Sequence, residues 1–259
     1  MIEPKDSSEK IQIMQEGGKK LSNIFAKLIK LLKPGINLLS IEAESLKLIK
    51  ESGGSPAFMM VPGYKWSTCL NVNDEIVHGI PKNYLIKAGD VVNLDIGLYY
   101  KGYNTDMCGS IKIKDERSKI KDEKEIDRFL ETGKLALKEA EKQARAGNRV
   151  GHISQRIQEI VEKAGYSCSY NLTGHTIGKS LHETPNIPCI LTREIAKTPL
   201  LKIGDTIAIE VIYSQGKPHL VTDEDGWTIK TKDGKIAAVF EETVAISNKG
   251  LKVLTPLPF

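Results

Sequence analysis

No apolar run in the 259-residue sequence approaches the roughly 20 residues of a membrane-spanning helix, and the opening Met1-Ile-Glu-Pro-Lys-Asp-Ser-Ser-Glu-Lys10 lacks a signal-peptide core. The expectation is a cytoplasmic protein with no membrane partner. Cysteine is scarce as well. Cys69, Cys108, Cys168 and Cys189 stand apart with no Cys-x-x-Cys pair, so neither a zinc knuckle nor a disulfide framework is indicated. Charge of one sign is also missing: 37 Lys and Arg against 33 Asp and Glu leave a net charge of +4, too small to argue for nucleic acid. The lysines alternate with glutamates along predicted helices, as on an ordinary solvated face. With 40% hydrophobic and 27% charged residues, the composition is that of a globular chain able to bury a sizeable core as one compact unit, 1–259.

What the chain does have is an internal echo. Lys87-Ala-Gly-Asp-Val-Val-Asn-Leu-Asp95-Ile96 recurs as Lys202-Ile-Gly-Asp-Thr-Ile-Ala-Ile-Glu210-Val211, and each copy places a carboxylate inside an apolar strand. A second strand with the same oddity follows each copy, carrying Asp106 in the first case and Glu241 in the second. Upstream, Lys33-Pro-Gly-Ile-Asn to Gly53 matches Arg145-Ala-Gly-Asn-Arg to Gly165. Two copies at so long a period are not a solenoid; they predict two related halves, roughly 1–115 and 116–259, closing on a shared site.

Hydrophobic periodicity predicts a first helix to about Leu32, capped by Asp6, Ser7 or Ser8, and a second over Ser40 to Glu51. Two more are expected over Asp122 to Ala146 and His152 to Ala164. Extended segments are expected at Ala57 to Val61, Thr68 to Val72, Val91 to Tyr99, Asp106 to Ile113, Thr206 to Tyr213, Thr228 to Thr231 and Ile236 to Ile246. Tyr100-Lys-Gly102 reads as a hairpin turn. Helices on one face of a mainly antiparallel sheet make the class α+β.

Four carboxylates buried without partners would cost several kcal/mol each, so something must compensate them, most simply divalent metal. Asp95 and Asp106 lie on opposite arms of the hairpin, across from each other or one diagonal away, where like charges destabilise a sheet unless an ion lies between them. Glu210 and Glu241 would do the same from the other half, and His175 in Thr173-Gly-His-Thr-Ile-Gly178 adds an imidazole. Four carboxylates and one imidazole suit a pair of Mn, Fe, Co or Zn ions. The glycines beside His175 would let the backbone approach a ligand closely. His152 and His219 read as structural, and the role of His78 stays open on the residues alone.

The segments His78-Gly-Ile-Pro81, Asn93-Leu-Asp95, Asp106, Gly174-His175-x-Ile-Gly178, His182-Glu-x-Pro185, Ile209-Glu210, Asp225-Gly-Trp227-Thr and Phe240-Glu241-x-Thr243, taken in order along nearly the whole chain, resemble the methionine aminopeptidases of the pita-bread fold. The short stretch between His182 and Glu210 resembles the type 1 enzymes. The resemblance implies that Asp106, His175, Glu210 and Glu241 hold one divalent ion, and Asp95, Asp106 and Glu241 a second. A water bridging the ions would attack, with Glu210 as its base and proton carrier. His78 and His182 would contact the scissile amide, and the free α-amino group of the substrate would bind near the second ion. Tyr64, Cys69, Leu181 and Trp227, together with Phe58, would form the methionine pocket. The implied partners are nascent polypeptide N-termini, with the ribosome as a candidate docking site and a monomer as the working form.

Several positions depart from the family pattern: Val211 replaces a usual proline, Glu242 a usual histidine, Leu181 a common phenylalanine, and Val61 and Pro62 the usual pocket lip. None removes a candidate ligand. The alternatives are an Xaa-Pro peptidase on the same fold, where an acid after the metal glutamate also occurs, and a non-catalytic binding protein.

Overall fold

The computed structural model describes residues 5–114 and 123–259. Four helices, α1 (Lys5–Ile29), α2 (Leu38–Glu51), α3 (Glu123–Glu141) and α4 (Val150–Lys163), cover one face of a large sheet. The strands are β1 (Ser55–Pro56), β2 (Thr68–Val72), β3 (Glu75–Val77), β4 (Val91–Tyr100), β5 (Tyr103–Lys112), β6 (Ser167–Cys168), β7 (Thr173–Thr176), β8 (Glu183–Pro188), β9 (Thr206–Ser214), β10 (Leu220–Thr222), β11 (Ile229–Thr231), β12 (Ala237–Ser247) and β13 (Gly250–Val253). The central order is β1-β4-β5-β12-β9-β7-β8, with β2, β6 and β13 pairing onto β4, β9 and β12; β10-β11-β3 form a separate small sheet. Every pairing is antiparallel, so the class is α+β. Among the described residues no helix is long and apolar enough to cross a membrane, and all four cysteines are free and buried.

The repeat read in the sequence is reproduced bond for bond. Lys87 N–H donates to Asp90 Oδ2 and Lys202 N–H to Asp205 Oδ2, each at 2.8 Å. Gly89 N–H reaches Ile113 O and Gly204 N–H reaches Ile246 O, again both at 2.8 Å. Gly89 and Gly204 turn at φ +88° and +96°, a region glycine enters without cost. These matched turns launch β4 and β9 in the same orientation, which brings Asp95 and Glu210 to the same face of the sheet.

The opposite face is apolar and lies under the helices. Phe25, Leu28, Ile41 and Ile49 pack with Leu94, Ile96, Leu98 and Met107 in the first half. Phe129, Leu137, Ile153 and Ile157 pack with Ile209, Val211 and Phe240 in the second. The helix periodicity read from Ile11 through Leu28 marks buried positions throughout.

Several boundaries differ from expectation. The backbone is already helical at Lys5, ahead of the expected capping positions Asp6, Ser7 and Ser8. The expected start of the third helix at Asp122 lies outside the described residues. Ala57 to Val61 is not extended: Phe58–Met60 coil into a 3-10 turn that buries Phe58 and exposes Met59 and Met60. The short strands β7 and β8 were not anticipated, and β7 carries His175.

Candidate metal and peptide site

Cross-strand register builds the site from two parallel rows on the uncovered face. Cys69, Asp95, Cys108, Glu241 and Glu210 stand opposite one another in turn across β2, β4, β5, β12 and β9. Two residues along the same strands, Gly97 opposes Asp106, Thr243 opposes Ala208, and Ala208 opposes His175. The second row is continuous across β5 and β12, because the Asp106 backbone N–H donates to Thr243 Oγ1 at 2.9 Å. Asp95 and Asp106 are therefore one diagonal apart, while Glu210 and Glu241 face each other directly. Period-two alternation puts all of these side chains on one face.

The electrostatics of this cluster are unfavourable unless a cation is supplied. Asp95, Asp106, Glu210 and Glu241 all have pKa values raised well above the ordinary carboxylate range, first by burial and then by repulsion from one another. Asp95 Oδ1 and Glu241 Oε1 are buried with no hydrogen-bond partner among the described residues. His175 Nδ1 lies 3.1 Å from its neighbour's carbonyl, Thr176 O, which assigns the proton to Nδ1 and leaves the Nε2 lone pair free. That Nε2 points at acceptors, 3.5 Å from Glu210 Oε1 and 4.0 Å from Glu241 Oε1. Burial and His182 lower the His175 pKa to about 4, so the ring is neutral at pH 7 and cannot act as the counter-charge. Asp106, His175 and Glu241 offer ligand atoms within 4.8 Å of one another. Acceptors converging on acceptors, with orphaned oxygens among them, fit a divalent cation held by carboxylate and imidazole.

These five residues line one cavity together with Phe58, Val61, Tyr64, Cys69, Val77, His78, Leu181, His182 and Trp227. Every candidate site residue from the sequence therefore borders one space. The Tyr64 ring meets Trp227 edge-on at 5.1 Å, Trp66 at 5.3 Å and Phe58 at 6.5 Å, so aromatic edges and faces form a wall opposite the acids. Tyr64 OH donates to Thr68 O at 2.9 Å, which fixes that wall to β2.

His78 enters the cavity from a backbone at φ +58°, an uncommon conformation for a residue with a Cβ. Its neighbour holds it there: Gly79 N–H donates to Asn71 Oδ1 at 2.7 Å, and Gly79 O accepts from Leu70 N–H at 2.9 Å. His182 stands edge-on to His175 with ring centroids 4.5 Å apart. Desolvation lowers the pKa of both, and His182 adds to the effect on His78, so both rings are neutral at pH 7. His152 instead accepts the Arg149 N–H at the start of α4, a capping role.

One expectation needs correcting. The glycine before His175 approaches protein and not a ligand: a Cβ on Gly174 would lie 2.4 Å from Ala208 O, so its absence lets β7 pack against β9. Cys108 in the acid row and Val77 beside His78 were not picked out by the sequence. Cys108 was findable from its period of two after Asp106; Val77 carries no such signal.

A model of metallopeptidase family M24 matches residues 12–248. The methionine aminopeptidase of Aquifex aeolicus is 38% identical over 253 residues, covering 92% of this chain and 95% of that protein. Methionine aminopeptidase 1 of Bacillus subtilis is 35% identical, with 94% and 95% covered. The crystal structure of methionine aminopeptidase from Thermotoga maritima superimposes with a TM-score of 0.88 at 33% identity, covering 98% of each chain. Prolidase from Pyrococcus furiosus shares the fold at a TM-score of 0.76 and 23% identity, covering all of this chain and 66% of that one.

Proposed function

The chain belongs to metallopeptidase family M24, and on that premise we propose that it is a methionyl aminopeptidase, removing the N-terminal methionine from peptides and nascent proteins. Its fold is the pita-bread fold. One observation carries the reading: five metal-competent side chains on two sheet rows share a single cavity with the aromatic and apolar side chains Phe58, Tyr64, Leu181 and Trp227. We read the chain as one catalytic unit, its halves 1–115 and 116–259 each contributing an acid pair.

Asp106, His175, Glu210 and Glu241 would hold one divalent ion, and Asp95, Asp106 and Glu241 a second, with Mn, Fe, Co and Zn all compatible with this donor set. When bound, such ions polarise the peptide carbonyl and make coordinated water acidic. The residues of the chain do the rest. The Glu210 side chain keeps 14% of its exposure while Glu241 directly opposite keeps 3%, so of this facing pair Glu210 is the one open enough to take a proton from the attacking water and deliver it to the leaving amine. Neutral His78 and His182 can each donate one N–H to the scissile amide as charge develops on it. Tyr64, Cys69, Leu181 and Trp227, with Phe58, surround a flexible apolar side chain, and sulfur against aromatic edges is a favourable contact.

Nascent chain N-termini are the partners this site would accept. Docking on the ribosome, a monomeric working form and a cytoplasmic location belong to the same proposal. Chelator-treated protein reloaded with Mn or Co should release Met from Met-Ala-Ser. Release of Ala from Ala-Pro peptides with Met-Ala-Ser left intact would favour the Xaa-Pro reading, and no turnover of either would favour a binding protein.

A further inference from the structure

Asn104 lies near the start of β5, two residues before Asp106 and on the same face of the sheet. Its polar groups are committed to a distant loop. Nδ2 donates to Gly178 O at 3.1 Å and to Lys179 O at 3.0 Å, and the Asn104 backbone N–H donates to Gly178 O at 2.7 Å. The side chain is 2% exposed and its Oδ1 has no partner among the described residues, so its whole polar contribution is donation to those two carbonyls. Burying an amide with one end unanswered costs stability, and here it is spent on a single contact.

The loop so held runs from Gly178 to His182 and presents Leu181 and His182 to the cavity. Two backbone N–H groups of the loop are answered close by: Ser180 N–H donates to the Glu183 carboxylate at 2.9 Å, and Gly178 N–H to Ser180 O at 3.0 Å. These bonds shape the loop, whereas the Asn104 bonds fix where it sits on the sheet. Asn71, in the same half as Asn104, stands behind the other histidine's segment, accepting the N–H of Gly79 just after His78.

We propose that Asn104 is a positioning residue for the hydrolysis, holding the Gly178–His182 loop so that the His182 imidazole stands beside the reacting amide. This rests on His182 being a substrate contact. Because His182 meets His175 edge-on, any shift of the loop moves its ring relative to the acid rows, and a misplacement of about 1 Å can cost on the order of 100-fold in rate.

Asn104→Asp is isosteric but aims acceptors at two carbonyls; Asn104→Ala removes the donors without adding charge and covers the case in which the Asp variant fails to fold. Both are assayed metal-loaded on Met-Ala-Ser, beside His182→Ala and the Asn104→Ala/His182→Ala double variant, with metal content measured in each. The expected result is a fall in kcat of roughly 10- to 100-fold for each Asn104 variant, with KM and metal content little changed. The double variant should be no slower than His182→Ala, since nothing remains to be positioned. Fully multiplicative losses in the double variant, metal loss that tracks activity, or normal kcat in the Asn104 variants beside a slow His182→Ala would overturn this inference alone. Normal kcat in His182→Ala would overturn the role given to His182 and the inference with it.

Discussion

Glu241 and Glu242 are neighbours on β12, 3% and 0% exposed, and the pleat sends them to opposite faces of the sheet. Glu242, on the helix side, is answered by protein: Leu257 N–H donates to its Oε1 at 2.7 Å and Lys138 Nζ to its Oε2 at 3.2 Å. Beside it, the pKa of Glu141 is raised to about 9 by burial and by the neighbouring Glu242 carboxylate, so it stays protonated at pH 7. Glu241, on the cavity side, has Glu210 directly opposite and Asp106 and Asp95 nearby, and its Oε1 has no partner among the described residues. Equal burial thus hides opposite situations. An acid whose charge is met by donors is part of the scaffold, and one surrounded by other acids is waiting for a cation. The Glu242 departure from the family pattern therefore lies behind the site and leaves the proposed ligand set intact.

The contrast is broken most sharply by exchanging which acid is removed. Glu241→Ala should abolish saturable Mn or Co binding and reduce peptide hydrolysis to background, measured by titration calorimetry and release of Met. Undiminished binding in that variant would remove Glu241 from the proposed ligand set. Glu242→Ala should keep metal and turnover but lower unfolding free energy by about 2 kcal/mol, the cost of leaving the half-buried Leu257 N–H and its surroundings unanswered. Denaturant unfolding decides this, and metal loss in Glu242→Ala would show that the two faces are not independent.

A smaller effect separates the faces by pH. The folded-state pKa of Glu141 lies near 9, above its unfolded value of about 4.5, so across that window the folded chain holds a proton that the unfolded chain has released. Stability from this group is complete below the lower value and is lost as pH rises through the upper one. Glu141→Gln should therefore flatten the decline in stability of the metal-loaded protein between pH 5 and 9. An unchanged pH slope would mean that Glu141 does not carry the proton.

The same contrast explains what was readable beforehand. Asp95, Asp106, Glu210 and Glu241 were visible because acids interrupt apolar strands of recognisable length, Asp95 and Glu210 at matching distances after Lys-x-Gly-Asp turns and Asp106 and Glu241 on a following strand. Glu242 was visible as a residue type but not as a partner, because Lys138 and Leu257 reach it from distant parts of the chain. His175 was singled out without its strand: Thr-Gly-His-Thr has no alternation of apolar residues and exists as a strand only because Gly174 lets it lie against Ala208. Asn104 carried no signal at all, since its meaning lies in carbonyls 74 residues away. Local pattern located the floor of the site, and long-range contacts decided its rim.

The central claim is that the four acids and His175, set on two rows of the sheet, exist to hold cations. Chelator-treated protein titrated with Mn at pH 7, in two buffers of different ionisation enthalpy, reads ion stoichiometry and proton release together. Carboxylates whose pKa values are raised by burial and mutual repulsion must shed protons when a cation replaces them. The account predicts two ions per chain with net release of protons, both lost in Glu241→Ala and both kept in Glu242→Ala. Saturable binding absent from the unaltered protein, or present without proton release, would contradict it.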